Sequence, residues 1–131
     1  MKRVYIIDDD RDIVDSMTIV LKSNQYDALA QYDDEDVEAK VKAANPDLII
    51  LDVMFPEDSS AGFKIARRLK AVPELAKIPI IMLSAVNEKG IYMGRFTSHD
   101  LDESWLPVNL FLDKPVSPKA LIEKVAEMIG R

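Results

Sequence analysis

The sequence predicts an α/β domain, a doubly wound sheet of five parallel strands with helices on both faces. Three observations carry that expectation. Short apolar runs alternate five times with helical segments along the 131 residues, and repeated βα units of this kind assemble into a parallel sheet covered on both sides. Residues 47–52, DLIILD, are apolar almost throughout, as a strand buried on both faces must be. Aspartates gather where apolar strands end, at Asp8, Asp9 and Asp10 and again at Asp52, and ligands of open α/β sheets bind at that carboxyl edge.

Residues 3–8 read as the first buried strand. In residues 11–23, Ile13, Met17, Val20 and Leu21 recur at helical spacing. Asp10 and Asp12 fall where a helix takes its cap and its first-turn charge, and that role is favoured for them over metal ligation. Residues 26–32 form a shorter strand. Residues 34–44 follow as a helix with Val37 and Val41 facing inward, so the acidic run 33–36 reads as a solvated helix start. Asn45-Pro46 stops this helix, and residues 47–52 become the centre of the sheet. Residues 63–72 are amphipathic and end at Pro73, and residues 78–83 give a fourth apolar strand. A fifth strand, residues 108–112, leads to a last helix in which Ser117 is the N-cap and Pro118 occupies the first turn. Residues 87–107 break the pattern with Gly, Ser, Asp and scattered aromatics, and show no strong helical period beyond residues 88–96.

At 131 residues the chain is expected to form one domain, residues 1–131, carrying an atypical insertion at about 87–107. Its 23 acidic and 17 basic residues give a net charge of −6, which argues against a nucleic-acid partner, since displacing counterions from phosphate needs a basic stripe. The absence of cysteine excludes disulfides, zinc thiolates and thiol catalysis. No apolar run has the length of a signal peptide or a membrane span, so the expectation is a cytoplasmic protein with no membrane partner. His99 stands alone within the insertion and reads as a surface residue, and Trp105 reads as cover for the insertion's own core.

The polar residues at strand ends form a chemical set: Asp8, Asp9 and Asp10 after the first strand, Asp52 at the third, Ser84 at the fourth, and Lys114 with Pro115 past the fifth. Carboxylates that share an edge repel one another unless a cation joins them. A divalent metal, a carboxylate nucleophile, a hydroxyl donor and a lysine together suit phosphoryl transfer.

Ile6-Ile7-Asp8-Asp9-Asp10, Leu51-Asp52-Val53-Met54-Phe55-Pro56, Ile81-Met82-Leu83-Ser84-Ala85 and Phe111-Leu112-Asp113-Lys114-Pro115 resemble the motifs of response-regulator receiver domains of two-component systems, in that family's order and over most of the chain. The resemblance implies a flavodoxin-like (CheY-like) sheet of order 2-1-3-4-5. It implies a phosphorylation-dependent switch rather than an enzyme, with Asp52 accepting a phosphoryl group from a sensor histidine kinase or a histidine phosphotransfer protein. Asp9 and Asp52 would ligate Mg²⁺ directly, with Mn²⁺ able to substitute, Asp8 through a water, and Met54 through its backbone carbonyl. Ser84 and Lys114 would each hold a phosphoryl oxygen, and the Lys114-Pro115 bond would be cis. Ser84 and Phe111 would throw the switch, changing the face formed by the family's fourth helix, fifth strand and fifth helix. The exposed side of the first helix and the loop after Lys114 would meet the donor, and an effector protein not named by the sequence would read the output.

Two stretches depart from the family. The loop over residues 56–62 is about two residues longer than usual, and the spacing from Ser84 to Lys114 is roughly eight residues longer, so the family's dimer mode is not carried over. Met54 and Val86 stand where receivers orient the hydrolytic water, and neither can do so, which predicts slow self-dephosphorylation. Alternatives remain open: a receiver fold used only for phosphorylation-independent docking, or a haloacid-dehalogenase-like phosphatase pairing Asp8 with Asp10. An EF-hand is excluded, because Ile13 stands where glycine is needed and Ile19 where the bidentate glutamate belongs.

Overall fold

The computed structural model describes residues 1–52, 61–84, 110–113 and 116–130. In chain order the elements are β1 (Arg3–Ile7), α1 (Arg11–Ser23), β2 (Asp27–Gln31), α2 (Val37–Ala44), β3 (Leu48–Asp52), α3 (Ala61–Ala71), β4 (Ile80–Ser84), β5 (Leu110–Asp113) and α4 (Pro118–Ile129). The strands form one sheet of order β2-β1-β3-β4-β5, and every neighbouring pair is parallel.

Alternation along the strands sorts the core into two layers. Tyr5, Ile7, Ile49, Leu51, Ile80 and Met82 pack with Val37 and Val41 of α2 and Ile65 and Leu69 of α3. The intervening residues Val4, Ile6, Leu48, Ile50, Ile81 and Leu83 pack on the opposite face with Val14, Met17 and Leu21 of α1 and Leu121, Ile122 and Val125 of α4. Every residue of β3 is buried, as its apolar sequence and central position require. At this burial, roughly 25 cal/mol of stabilisation per Å² of apolar surface removed from water makes the two layers the main force holding the sheet flat against its helices.

The helix ends follow their sequence signals. Asp10 caps α1, its carboxylate accepting the N–H groups of Asp12 and Ile13 at 3.0 and 3.2 Å. Ser117 caps α4 by accepting the N–H of Ala120 at 3.1 Å, with Pro118 at the first helical position. Asn45 ends α2 in the left-handed region at φ 50°, a conformation that asparagine tolerates better than most residues.

Several boundaries differ from the sequence reading. α2 begins at Val37 rather than at residue 34. Asp36 precedes it in the left-handed region without capping it through its side chain, and the preceding acids belong to a turn tied to β2. β2 is shorter by one residue at each end, because Tyr26 turns into the core and donates its hydroxyl to the Gly130 carbonyl at 2.8 Å. α3 runs over residues 61–71 instead of 63–72, and β4 starts two residues later and reaches Ser84. On α1 the fully buried stripe is Val14, Met17 and Leu21, with Ile13 and Val20 half-buried at its margin. The expected insertion at 87–107, with His99 and Trp105, and the start of the fifth strand at 108–109 lie outside the described residues.

Candidate functional site at the carboxyl edge

The strand register brings the chemistry-bearing residues to one edge. Ile7, the last residue of β1, pairs with Leu51 on one side and Gln31 on the other. The N–H of Asp8 extends this pairing by donating to the Gln31 carbonyl at 3.2 Å. Asp52 is the last residue of β3 and pairs with Leu83, so Ser84 stands one register position further along β4, opposite Asp113 of β5.

Asp8 is 0% exposed and Asp52 is 4% exposed, while Asp9 is half-buried. One carboxylate oxygen from each of the three lies within 4.8 Å of the others. At that separation two ionised carboxylates repel by roughly 3 kcal/mol at an effective dielectric of about 20. A divalent cation between them converts the repulsion into attraction. The donor set is oxygen only, which suits a hard cation, and three carboxylates with room for waters match Mg²⁺ or Mn²⁺ rather than a soft metal. The residues therefore fit a divalent ion.

Asp10 does not join this group. Its carboxylate is spent on the α1 cap, and its own N–H donates to Asp8 Oδ1 at 3.0 Å, which fixes one face of the Asp8 carboxylate. Arg11 follows, with its guanidinium 4.0 Å from the centroid of the Tyr32 ring.

Gln31 is a residue of this neighbourhood that the sequence reading passed over. It is buried at 5% exposure, accepts the Tyr5 hydroxyl at 2.7 Å and donates to Asp33 and Glu35. Burial pushes the Tyr5 hydroxyl above its ordinary pKa, and the charge of Asp33 adds to the rise. Only its position as a polar residue at the end of β2, after Ala28, Leu29 and Ala30, marks Gln31 in the sequence, and that signal is weak. Met54, Lys114 and Pro115 lie outside the described residues, as do the side chains of Ser84 and Phe111.

An apolar groove of about 390 Å³ runs between α1 and α4, lined by Ile13, Met17, Val20, Leu83, Val116 and Leu121 among others. Among the described residues, no helix is long and apolar enough to cross a membrane.

A parallel sheet of this order with clustered acids at its carboxyl edge places a ligand site at that edge, and comparison with known proteins says to which class the chain belongs. The family model for the response regulator receiver domain matches residues 4–126, and the chain belongs to that family. It is 31% identical over 131 residues to the DNA-binding dual master transcriptional regulator RpaA of Synechocystis sp., covering 100% of this chain and 50% of that protein. It is 28% identical over 130 residues to the phosphate regulon transcriptional regulatory protein PhoB of Pseudomonas aeruginosa, covering 99% of this chain and 52% of that one. The chain thus spans about half the length of these relatives. The chemotaxis protein CheY4 of Vibrio cholerae superposes with a TM-score of 0.79 at 23% identity, covering 98% of both chains, and that likeness supports the fold alone. Receiver domains are phosphorylation-dependent switches supplied by histidine kinases, and not enzymes in the ordinary sense.

Proposed function

We propose that residues 1–131 form a single cytoplasmic receiver domain in which Asp52 accepts a phosphoryl group from a phosphohistidine. The donor is a sensor histidine kinase or a histidine phosphotransfer protein, and the cofactor is Mg²⁺, with Mn²⁺ able to replace it. The observation that carries this reading is the convergence of Asp8, Asp9 and Asp52 at one edge, with Asp52 at the tip of the buried central strand.

In the reaction, an Asp52 carboxylate oxygen attacks phosphorus in line with the phosphohistidine nitrogen. The P–O bond forms as the P–N bond breaks, and the imidazole leaves with the electron pair and takes a proton. A bound divalent ion supplies charge neutralisation at the phosphoryl oxygens. Asp9 and Asp52 are assigned as direct ligands, Asp8 as a ligand through water, and the Met54 carbonyl as the remaining protein donor. Ser84 and Lys114 each take a phosphoryl oxygen. Phosphorylation then draws Ser84 inward and Phe111 follows, so the output face changes its affinity for an effector protein. The Lys114-Pro115 bond is assigned as cis. The groove between α1 and α4, lined from Asp12 onward and by Val116, supports donor docking on the first helix and the segment after Lys114. The net charge of −6 supports a protein rather than a nucleic acid as the partner of this domain. The phosphatase alternative loses its second carboxylate, because Asp10 is engaged as a helix cap.

Intact-mass analysis after incubation with Mg²⁺ and acetyl phosphate tests this assignment. A single phosphoryl adduct that disappears in Asp52→Asn supports it. No adduct in wild type, where a control receiver is labelled, would favour phosphorylation-independent docking, and donor turnover that depends on Asp8 but not Asp52 would favour the phosphatase. With Met54 and Val86 unable to orient water, the adduct is expected to be long-lived. A half-life unchanged by Met54→Asn with Val86→Glu would count against that explanation.

A further inference from the structure

The buried amide of Gln31 sits at a junction. Its Oε1 accepts the Tyr5 hydroxyl at 2.7 Å, and its Nε2 donates to the Asp33 carbonyl at 2.9 Å and to Asp33 Oδ1 and the Glu35 carbonyl, each at 3.1 Å. One side chain thereby ties β1 to the turn over residues 32–36. The main chain of the same residue receives the Asp8 N–H at 3.2 Å, and the next residue, Tyr32, places its ring against Arg11. The acidic loop is therefore held at both ends by consecutive residues of one strand end: Asp8 enters it from the Gln31 carbonyl, and Arg11 leaves it against Tyr32. Tyr5 is a donor at neutral pH, well below the ordinary tyrosine value of 10.0, and burial raises its hydroxyl further.

We infer that Gln31 is a positioning residue for the cation pocket, its amide locking the end of β2 so that the Gln31 carbonyl sets where Asp8 stands. The inference rests on the reading of Asp8, Asp9 and Asp52 as a cation site and deepens it. Carboxylates held within 4.8 Å of one another before the ion arrives, two of the three buried, spare the ion the work of gathering them. Groups bonded directly to a metal ligand typically change affinity about 10- to 100-fold when lost, and the Gln31 amide, acting on Asp8 through its own main chain, is expected to do less. A residue that only filled space would change the stability of the fold and leave the metal affinity of folded protein alone.

Calorimetric titration of the full chain with Mg²⁺ separates these roles, using wild type, Gln31→Met and Tyr5→Phe. The first variant removes the amide at nearly constant length, and the second removes only the hydroxyl that orients it. Melts in chelator establish that each variant is folded, and hydrogen exchange at the Asp8 amide is followed without metal. The expected result is a Kd for Mg²⁺ raised roughly five- to thirtyfold in Gln31→Met and about two- to fivefold in Tyr5→Phe, with faster exchange at Asp8. Saturating Mg²⁺ should restore labelling by acetyl phosphate in both. Unchanged Kd and unchanged Asp8 exchange in the folded variants overturn the inference. If Gln31→Met does not fold, Tyr5→Phe decides alone by the same criterion. Wild type that binds no Mg²⁺ removes the cation site itself, whereas wild type and variants that bind equally remove only the role of Gln31.

Discussion

Two stretches of this chain are similarly rich in carboxylates and behave in opposite ways. Asp33, Asp34, Glu35 and Asp36 are all exposed, and the charge of Asp33 is met locally. Asp33 Oδ1 accepts the Glu35 N–H at 3.0 Å, and Lys40 lies 3.6 Å from it. Asp8 and Asp9, by contrast, are joined by Asp52 from a different strand, and two of the three are buried. The difference is not carboxylate density but freedom to turn toward water. Exposed acids relieve their repulsion by solvation and screening, whereas buried convergent acids favour a positive charge beside them, and that preference suits a cation.

The contrast can be broken most severely at Asp52. Asp52→Asn is expected to abolish the phosphoryl adduct seen by intact mass, while Asp34→Asn is labelled as wild type; equal labelling of both variants would erase the distinction. Next in size, Asp8→Asn should weaken Mg²⁺ binding by more than about tenfold in a calorimetric titration, since it removes charge from the ligand set, and Asp36→Asn should leave it within twofold of wild type. Ile50→Ala, in the strand that delivers Asp52 and fully buried, is expected to cost about 2–5 kcal/mol in urea unfolding. Asp34→Asn should stay within about 0.5 kcal/mol of wild type in the same assay.

Asp10 sharpens the comparison from inside the acidic loop. Asp10→Ala should cost about 1 kcal/mol of stability through the lost α1 cap and leave an Mg²⁺-dependent adduct, which a true ligand could not do. The smallest effect belongs to Asp33. The N–H of Glu35 is the main influence holding its carboxyl below the ordinary value of 3.8, with Lys40 and Gln31 assisting. The folded state therefore binds fewer protons than the unfolded state. The resulting stabilisation is complete above the ordinary aspartate value and is lost as pH falls through the lowered folded one. With the side chain 49% exposed, screening keeps this below about 1 kcal/mol. Asp33→Asn should flatten the dependence of urea midpoints on pH in the acid range, and an unchanged slope would show that the turn is not electrostatically held.

Much of the fold was legible because its signals are local or periodic. The apolar run of β3, the Ser117-Pro118 start of α4 and the Asp10 cap each depend on a few adjacent residues and stand where the sequence put them. Errors fell where a distant partner decided. The start of α2 moved to Val37 because Gln31 binds the carbonyls of Asp33 and Glu35, holding residues 33–35 in a turn. On α1, an apolar stripe broad enough to include Ile13, Val14, Met17, Val20 and Leu21 left its phase open. Packing against the sheet and α4 chose Val14, Met17 and Leu21 for full burial. Gln31 carries no distinguishing sequence signal, because a polar residue at a strand end looks the same whether it faces water or anchors a loop.

By itself the sequence determined the alternation of strands and helices, the central strand, the capping residues and the family to which the four motifs point, since each is written in neighbouring residues or in a fixed period. Only the tertiary structure decided which aspartates converge. Asp8 and Asp9 meet Asp52 because β1 and β3 are adjacent and end at matching register, and Asp10, one residue further on, is turned away by the helix it starts. That choice depends on strand register and helix direction, which bring together groups far apart in the chain and separate groups that are adjacent in it.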